Sequence, residues 1–247
     1  MAIGKEEVMA AIAAAKKSSK RGFVQSVDLV VPLVGLDLKK PEHQVDFFLD
    51  LPHSAGKKMK VCALIGPELQ AEAKSACDGL VLQEEFVNYG KNKKLTKKLV
   101  KQFDFFIGQA NIMPQIAATF GRVLGPKGKM PNPKAGCVVP PKATLKPLVE
   151  RLQKLVHVSA KTVPMVQCKV GNESMSDDAL SANLVAVFNQ LVNLLPGGEQ
   201  NVKAAYVKLT MGAPTRITAA AKVTVATHKK PKSAAADWVP SQKRRGK

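Results

Sequence analysis

The chain has 247 residues, 45% of them hydrophobic, enough to bury one large core or two modest ones and too apolar for disorder throughout. Its net charge of +19 attracts phosphate polyanions or acidic membrane surfaces. No stretch approaches the roughly 20 uninterrupted apolar residues of a membrane helix, and the charged start, MAIGKEE, has no apolar secretory segment.

Residues 5–19 (KEEVMAAIAAAKKSS) are rich in alanine and long polar side chains and predict a helix. Gly22 ends it or follows its end. From Ser26, SVDLVVPLVG is β-branched and partly alternating, which predicts a strand, with Pro32 pointing to an edge position or a bulge. VDFFLDL at 45–51 predicts a second strand, and the polar loop between the two suggests a β-hairpin-like unit. Then the pattern changes. KMKVCALIG (58–66) reads as a buried strand, PELQAEAKSA as a helix, LVLQ as a short strand and NKKLTKKLVKQF as a helix. FDFFIGQ (103–109) follows as a strand and NIMPQIAATFG as a helix broken by Pro114. Such strand–helix alternation marks an open α/β sheet. The segment 121–136, GRVLGPKGKMPNPKAG, holds too much Gly and Pro for regular structure and predicts a loop. LKPLVERLQKLV (145–156) returns to a helical pattern, HVSAKTVPMVQCKVG reads as extended, and residues 177–195 form an amphipathic helix with acids in the first turn. NVKAAYVKLTMG and TRITAAAKVTVAT predict two more strands.

Charge separates these regions. Residues 1–57 carry +1, 58–155 carry +10, 156–226 carry +2 and 227–247 carry +6. The expected class is therefore α/β, with a discontinuous α+β domain built from residues 1–57 and 156–226. An α/β domain, 58–155, is inserted, and a basic disordered tail covers 227–247.

Little in the chain asks for catalysis. The cysteines at 62, 77, 137 and 168 form no CxxC pair, the four histidines complete no ligand cluster, and small buried hydrophobes is the plain reading of the thiols. GxSxG and HExxH do not occur. A Walker loop needs GxxxxGK followed by Ser or Thr, whereas Gly128-Lys129 is followed by Met130 and Val123 stands five positions before Gly128. The acidic pairs Glu6-Glu7, Glu84-Glu85 and Asp177-Asp178 fall at predicted helix starts or turns, where capping explains the last pair. No cofactor is expected. In the run from Lys91 to Lys101, helical spacing aligns Lys94, Lys97, Lys98 and Lys101 on one face, with Leu95, Leu99 and Val100 available to the core. That face is either simply solvated or a phosphate-tracking patch, and Lys127 and Lys129 in the Gly/Pro loop pose the same choice. With aromatic content at 5%, RNA contact would rest on shape, phosphates and 2′-hydroxyls more than on base stacking.

The stretch LTMGAPTRI (209–217), a strand ending in Thr-Met-Gly and followed by a Pro, resembles the C-terminal signature of the ribosomal protein L one family, with Leu209 where the family usually has Ser. The stretches 36–43 (LDLKKPEH), 91–99 (KNKKLTKKL), 120–133 (FGRVLGPKGKMPNP) and 200–212 (QNVKAAYVKLTMG) resemble its archaeal and eukaryotic branch, in order, from about residue 5 to 217. The resemblance implies a non-enzymatic, cytoplasmic protein of the large ribosomal subunit, monomeric there and away from membranes. Its second domain would be an inserted Rossmann-like unit. Partners would be the ribosomal RNA of the mobile stalk, transfer RNA at the exit site, whose release the stalk assists, and the protein's own messenger RNA, as a translational repressor. The implied RNA-binding residues are Arg21, Phe23, Thr210, Met211 and Gly212, with Lys39, Lys40, Lys208 and Arg216 as weaker candidates. Core packing would also explain Phe23, and turn structure Thr210. The flanks that would form the main RNA domain carry little charge, so recognition there would rest on geometry. A nucleotide-dependent enzyme in the inserted region is the competing class.

Overall fold

The computed structural model describes residues 4–18, 21–141 and 143–217, so the basic tail expected from residue 227 lies outside the described residues. Strand β1 (Ser26–Pro32) alternates Val27, Leu29 and Val31 inward with Asp28 and Val30 outward. It is an interior strand of an antiparallel sheet in the order β10-β9-β1-β8, with β8 at Met165–Asn172, β9 at Ala205–Leu209 and β10 at Thr215–Ile217. Helices α1 (Lys5–Ser18) and α7 (Asp177–Leu194) cover the inner face. Val8, Ala11, Ile12 and Ala15 of α1 recur at helical spacing, and Leu180, Leu184, Val187, Phe188 and Leu191 of α7 do the same. Ser176 caps α7 by accepting the Ala179 N–H. The capping role expected of Asp177 and Asp178 thus belongs to Ser176. Those carboxylates pair instead with α1, Asp177 with Lys16 at 2.6 Å and Asp178 with Lys5 at 3.0 Å.

Strand β2 (Val45–Asp50) does not form the expected hairpin with β1. It pairs with β7 (Leu155–Ala160), because β8 and β9 already occupy both edges of β1. Nor does Pro32 mark an edge strand or a bulge. It closes β1 beyond the last β9 pair, Val30 with Tyr206, where its missing N–H interrupts no ladder, and the register break with β8 lies at Val27/Asp28.

The middle of the chain forms a parallel sheet in the order β4-β3-β5-β6, from β3 (Val61–Ile65), β4 (Gly79–Leu82), β5 (Phe105–Gln109) and β6 (Val138–Val139). Alternate residues of β3 feed two cores. Val61, Ala63 and Ile65 meet α2 (Gln70–Ala76) and α6 (Lys146–Leu152), while Cys62 and Leu64 meet α3 (Phe86–Lys91), α4 (Lys93–Gln102) and α5 (Met113–Leu124). This is a doubly wound, Rossmann-like arrangement. Pro114 stands in the first turn of α5, where a missing N–H costs nothing, so it does not break the helix. The helix runs on through Gly121 to Leu124, and the irregular segment begins at Gly125 rather than Gly121. Helix α6 stops at Leu152, short of the expected 156, because Leu155 and Val156 are drawn into β7. On α4, Leu95 is 44% exposed, and Thr96 takes the inward place, donating to the Tyr89 carbonyl at 2.8 Å.

Two connections cross between the antiparallel and parallel sheets, and they are clipped to each other. Leu51 donates to the Lys154 carbonyl at 2.9 Å, and the Gln153 amide both accepts the Met59 N–H (2.7 Å) and donates to the Met59 carbonyl (2.8 Å). Fully buried Asn183 of α7 accepts the His53 N–H (2.9 Å) and donates to the carbonyls of His53 (3.0 Å) and Val170 (3.1 Å). Replacing Asn183 by Leu keeps volume but strands three backbone groups, so urea denaturation should show a loss of about 2–4 kcal/mol. A loss below about 0.5 kcal/mol would contradict this anchoring role.

Candidate nucleic-acid interface

The start of β1 and the end of β9 meet at one end of the antiparallel sheet, and the residues on either side of that meeting point form the candidate surface. The Thr210 N–H donates to the Ser26 carbonyl at 3.1 Å. The Thr210 hydroxyl accepts the Ser26 N–H at 3.2 Å and donates to the Ser26 carbonyl at 3.3 Å. Its single proton is therefore engaged within the chain, and one lone pair remains to accept from outside. Gln25, only 1% exposed, is the bolt of the junction. Its side-chain oxygen accepts the Met211 N–H at 3.1 Å, its own N–H donates to the Glu173 carboxylate at 3.3 Å, and its carbonyl accepts the Glu173 N–H at 2.8 Å. The Gly212 N–H closes the turn onto the Leu209 carbonyl at 2.9 Å.

Around this hydrogen-bonded junction the apolar side chains face out. Phe23 is 56% exposed, Val24 64% and Met211 59%. Core packing therefore does not explain Phe23. Arg21 is exposed on the same approach to β1. Three exposed large apolar side chains thus lie on the two segments, 23–25 and 210–212, that the Gln25 and Thr210 hydrogen bonds hold together.

The outer face of the sheet continues from this end. Cross-strand register puts Lys208, Asp28 and Lys169 side by side, and Arg216, Tyr206, Val30 and Gln167 in the next row. Asp28, Val30, Gln167, Lys169 and Lys208 line a groove of about 280 Å³. Burial raises the Asp28 pKa above the usual carboxylate value, against the opposing pull of Lys208 and Lys169. Burial also lowers the Lys169 pKa, helped by the nearby Lys57 and resisted by Asp28. The Arg216 Nε is buried and finds no hydrogen-bond partner among the described residues.

Other candidates lie elsewhere. Lys39 and Lys40 sit in the loop leaving the far end of β1, where their N–H groups close a turn on Asp37, and no described hydrogen bond or ion pair joins them to the Thr210 turn. Lys94, Lys97, Lys98 and Lys101 are exposed on α4. Lys127 is exposed in the loop after α5, whereas the Lys129 ammonium is held inside the fold by the carbonyls of Val100 (3.1 Å) and Phe103 (2.6 Å), at the end of α4.

Two further places bear on catalysis. In a doubly wound sheet, ligands enter at the carboxyl ends of the strands where the order reverses, here between β3 and β5. The buried Gln109 side chain fills that point, accepting the Gly66 N–H at 2.8 Å and donating to Glu68 at 3.3 Å. Burial pushes the thiols of Cys62 and Cys168 up to about 12 and those of Cys77 and Cys137 to about 11, away from the thiolate form a nucleophile needs.

A family model described as the ribosomal protein L1p/L10e family matches residues 15–213. The chain belongs to this family. The large ribosomal subunit protein uL1 of Methanothermococcus thermolithotrophicus is 41% identical over 214 residues, which is 86% of this chain and 98% of that protein. The uL1 protein of Methanocaldococcus jannaschii is 38% identical over 214 residues, 86% of this chain and 95% of its own length. That of Thermococcus kodakarensis is 37% identical over 219 residues, 88% and 99% of the two chains. Membership makes the chain a structural ribosomal protein rather than an enzyme.

Several residues of this candidate surface were not visible in sequence. Gln25, Glu173 and Val24 carry no motif, and a buried glutamine looks like any polar residue before a strand. Lys169 and Asp28 gain meaning only from strand register, which places them beside Lys208.

The Asp28 shift has a consequence for pH. A carboxyl whose pKa is raised in the folded state binds protons more tightly there than when unfolded. It therefore weakens stability as pH rises from the unfolded value of 3.8 through the folded one. Asp28→Asn should raise the thermal midpoint at pH 7, and the gain should vanish below pH 3.8, where Asp28 is itself neutral. A lower midpoint for Asp28→Asn at pH 7 in melts across this range would mean that the lysine pairing outweighs the burial.

Proposed function

We propose that this chain is a structural constituent of the large subunit of the cytoplasmic ribosome and binds ribosomal RNA through the Thr210 turn and the residues beside it. The observation that carries the reading is the convergence of exposed Phe23, Val24 and Met211 on a turn whose own polar groups are satisfied. Such a surface offers apolar contact and a fixed shape rather than charge, which suits folded RNA read through sugars and backbone geometry. Arg21, Lys208 and Arg216 would add phosphate contacts on the approach and along the outer sheet face, with Lys39 and Lys40 peripheral. The Thr210 oxygen would accept from a 2′-hydroxyl, and Gly212 would admit the backbone of the RNA.

The RNA in question is that of the mobile stalk beside the transfer RNA exit site, and holding it there gives the protein its part in releasing deacylated transfer RNA. Recognition lies in the unit formed by residues 1–57 and 156–226, into which 58–155 are inserted. The Met59–Gln153 clip, which keeps the ends of the insertion together, agrees with that division.

Truncating a central apolar contact in a desolvated interface typically costs about 1–2 kcal/mol or more, or about 5- to 30-fold in affinity. Phe23→Ala and Met211→Ala should each show a loss of that order on a stalk RNA fragment, nearly independent of salt. Lys208→Ala should show a smaller loss that shrinks as salt rises. Filter binding at two salt concentrations separates them. Equal, small and salt-dependent losses for all three would refute the surface. Full affinity of Met211→Ala for stalk RNA with reduced affinity for the protein's own messenger RNA would reassign the surface to repression.

A further inference from the structure

Helix α4 runs against the charge logic of the rest of the fold. In α1, Glu6 and Glu7 occupy the first turn and Lys16 and Lys17 the last, as the helix dipole favours, and α7 likewise begins with Asp177 and Asp178. Helix α4 has five lysines and no acid. Lys93 and Lys94 stand at its positive pole. Lys93/Lys97, Lys94/Lys97, Lys94/Lys98, Lys97/Lys101 and Lys98/Lys101 are like-charge neighbours at helical spacing, each of them repulsive. None of these side chains makes a hydrogen bond or ion pair among the described residues. The negative end of the helix is already occupied, since the Lys129 ammonium sits on the Val100 and Phe103 carbonyls and ties the loop carrying exposed Lys127 to that end.

Stability does not call for this arrangement, because Thr96, Leu99 and Val100 alone bury the helix. We propose that the Lys94, Lys97, Lys98 and Lys101 face of α4, extended by Lys127, is a second RNA-binding surface that tracks the phosphate backbone of an RNA segment other than the one held at the Thr210 turn. Four ammoniums along eight residues of helix span about 10 Å, which fits a run of successive phosphates. Lysine ammoniums are point charges that pair with phosphate without a fixed fork geometry, which suits sequence-independent contact along a backbone. The face lies on the parallel-sheet unit, which would let one chain bridge two RNA segments. This inference rests on the reading of the chain as an RNA-binding ribosomal protein.

The test uses the full chain and a 20-base-pair duplex RNA of arbitrary sequence, with affinity followed by fluorescence anisotropy across a salt series. Changing Lys94, Lys97, Lys98 and Lys101 together to Gln should flatten the slope of log affinity against log salt by about 3 and weaken binding more than about tenfold at low salt. Changing the same four to Arg should keep the slope. The Gln variant should also melt at a higher temperature in low salt, since its self-repulsion is gone, which excludes misfolding as the cause. An unchanged slope in a folded Gln variant would overturn the proposal, as would displacement of the RNA by polyglutamate as readily as by unlabelled duplex. Failure here is distinguishable from failure at the sheet end. Met211→Ala that leaves stalk RNA binding intact would sink the Thr210 surface alone, and an inert Gln variant would sink the α4 surface alone.

Discussion

The hydrogen bonds between Ser26 and Thr210 join residues 184 positions apart, and most of the architecture follows from that closure. Because β1 pairs with β9, early and late segments of the described chain share one sheet, and the parallel-sheet segments between them have to leave it and come back. The chain leaves and re-enters through the connections clipped at Leu51–Lys154 and Met59–Gln153. With both edges of β1 filled by β8 and β9, β2 is forced to find β7. The same closure bonds Gln25, next to Phe23 and Val24 in the chain, to Met211, so these exposed apolar residues come together through topology and not through any contiguous motif.

The junction is also economical with its polar groups. Gln25 satisfies the Met211 N–H from inside, and Glu173 pairs with the backbone of Gln25. A turn with its donors satisfied loses little on meeting a partner, because few water-bound groups have to be stripped. The outer sheet face works differently. There Lys208 and Lys169 flank a half-buried Asp28 whose opposite charge offsets part of theirs. Positive charge is concentrated instead on the parallel-sheet unit, where α4 carries it without internal compensation.

Sequence patterns revealed what local chemistry dictates. The five hydrophobes of β3, the helical spacing of α1 and α7 and the alternation of the middle region were readable because burial imposes period and composition. Pairing partners were not. The supposed β1–β2 hairpin failed because loop polarity says nothing of which edges are free, and Pro32 misled because its position relative to the β9 ladder is set by a strand 170 residues later. Pro114 looked like a break and proved a helix start, since the same residue serves both depending on one turn of phase. At the candidate surface, Phe23 and the Thr-Met-Gly turn were legible through resemblance to the family. Gln25, Glu173 and Lys169 were not, because their roles exist only once distant segments meet. The engaged Thr210 proton and the internally bonded Lys129 were equally hidden, as sequence does not tell a free hydroxyl or ammonium from a partnered one.

The most direct measurement is a methyl NMR titration of the full chain, labelled at its methionines, with a stalk ribosomal RNA fragment. Met211 sits in the turn after β9, 59% exposed, while Met165 lies at the other end of the antiparallel sheet and Met113 and Met130 pack against the parallel-sheet core. The account predicts that the Met211 methyl shifts or broadens in step with RNA saturation while Met165 and Met113 stay in place. A Met211 signal that remains unmoved at full saturation, whatever the others do, would contradict the central claim that closure of the chain ends builds the RNA-binding surface.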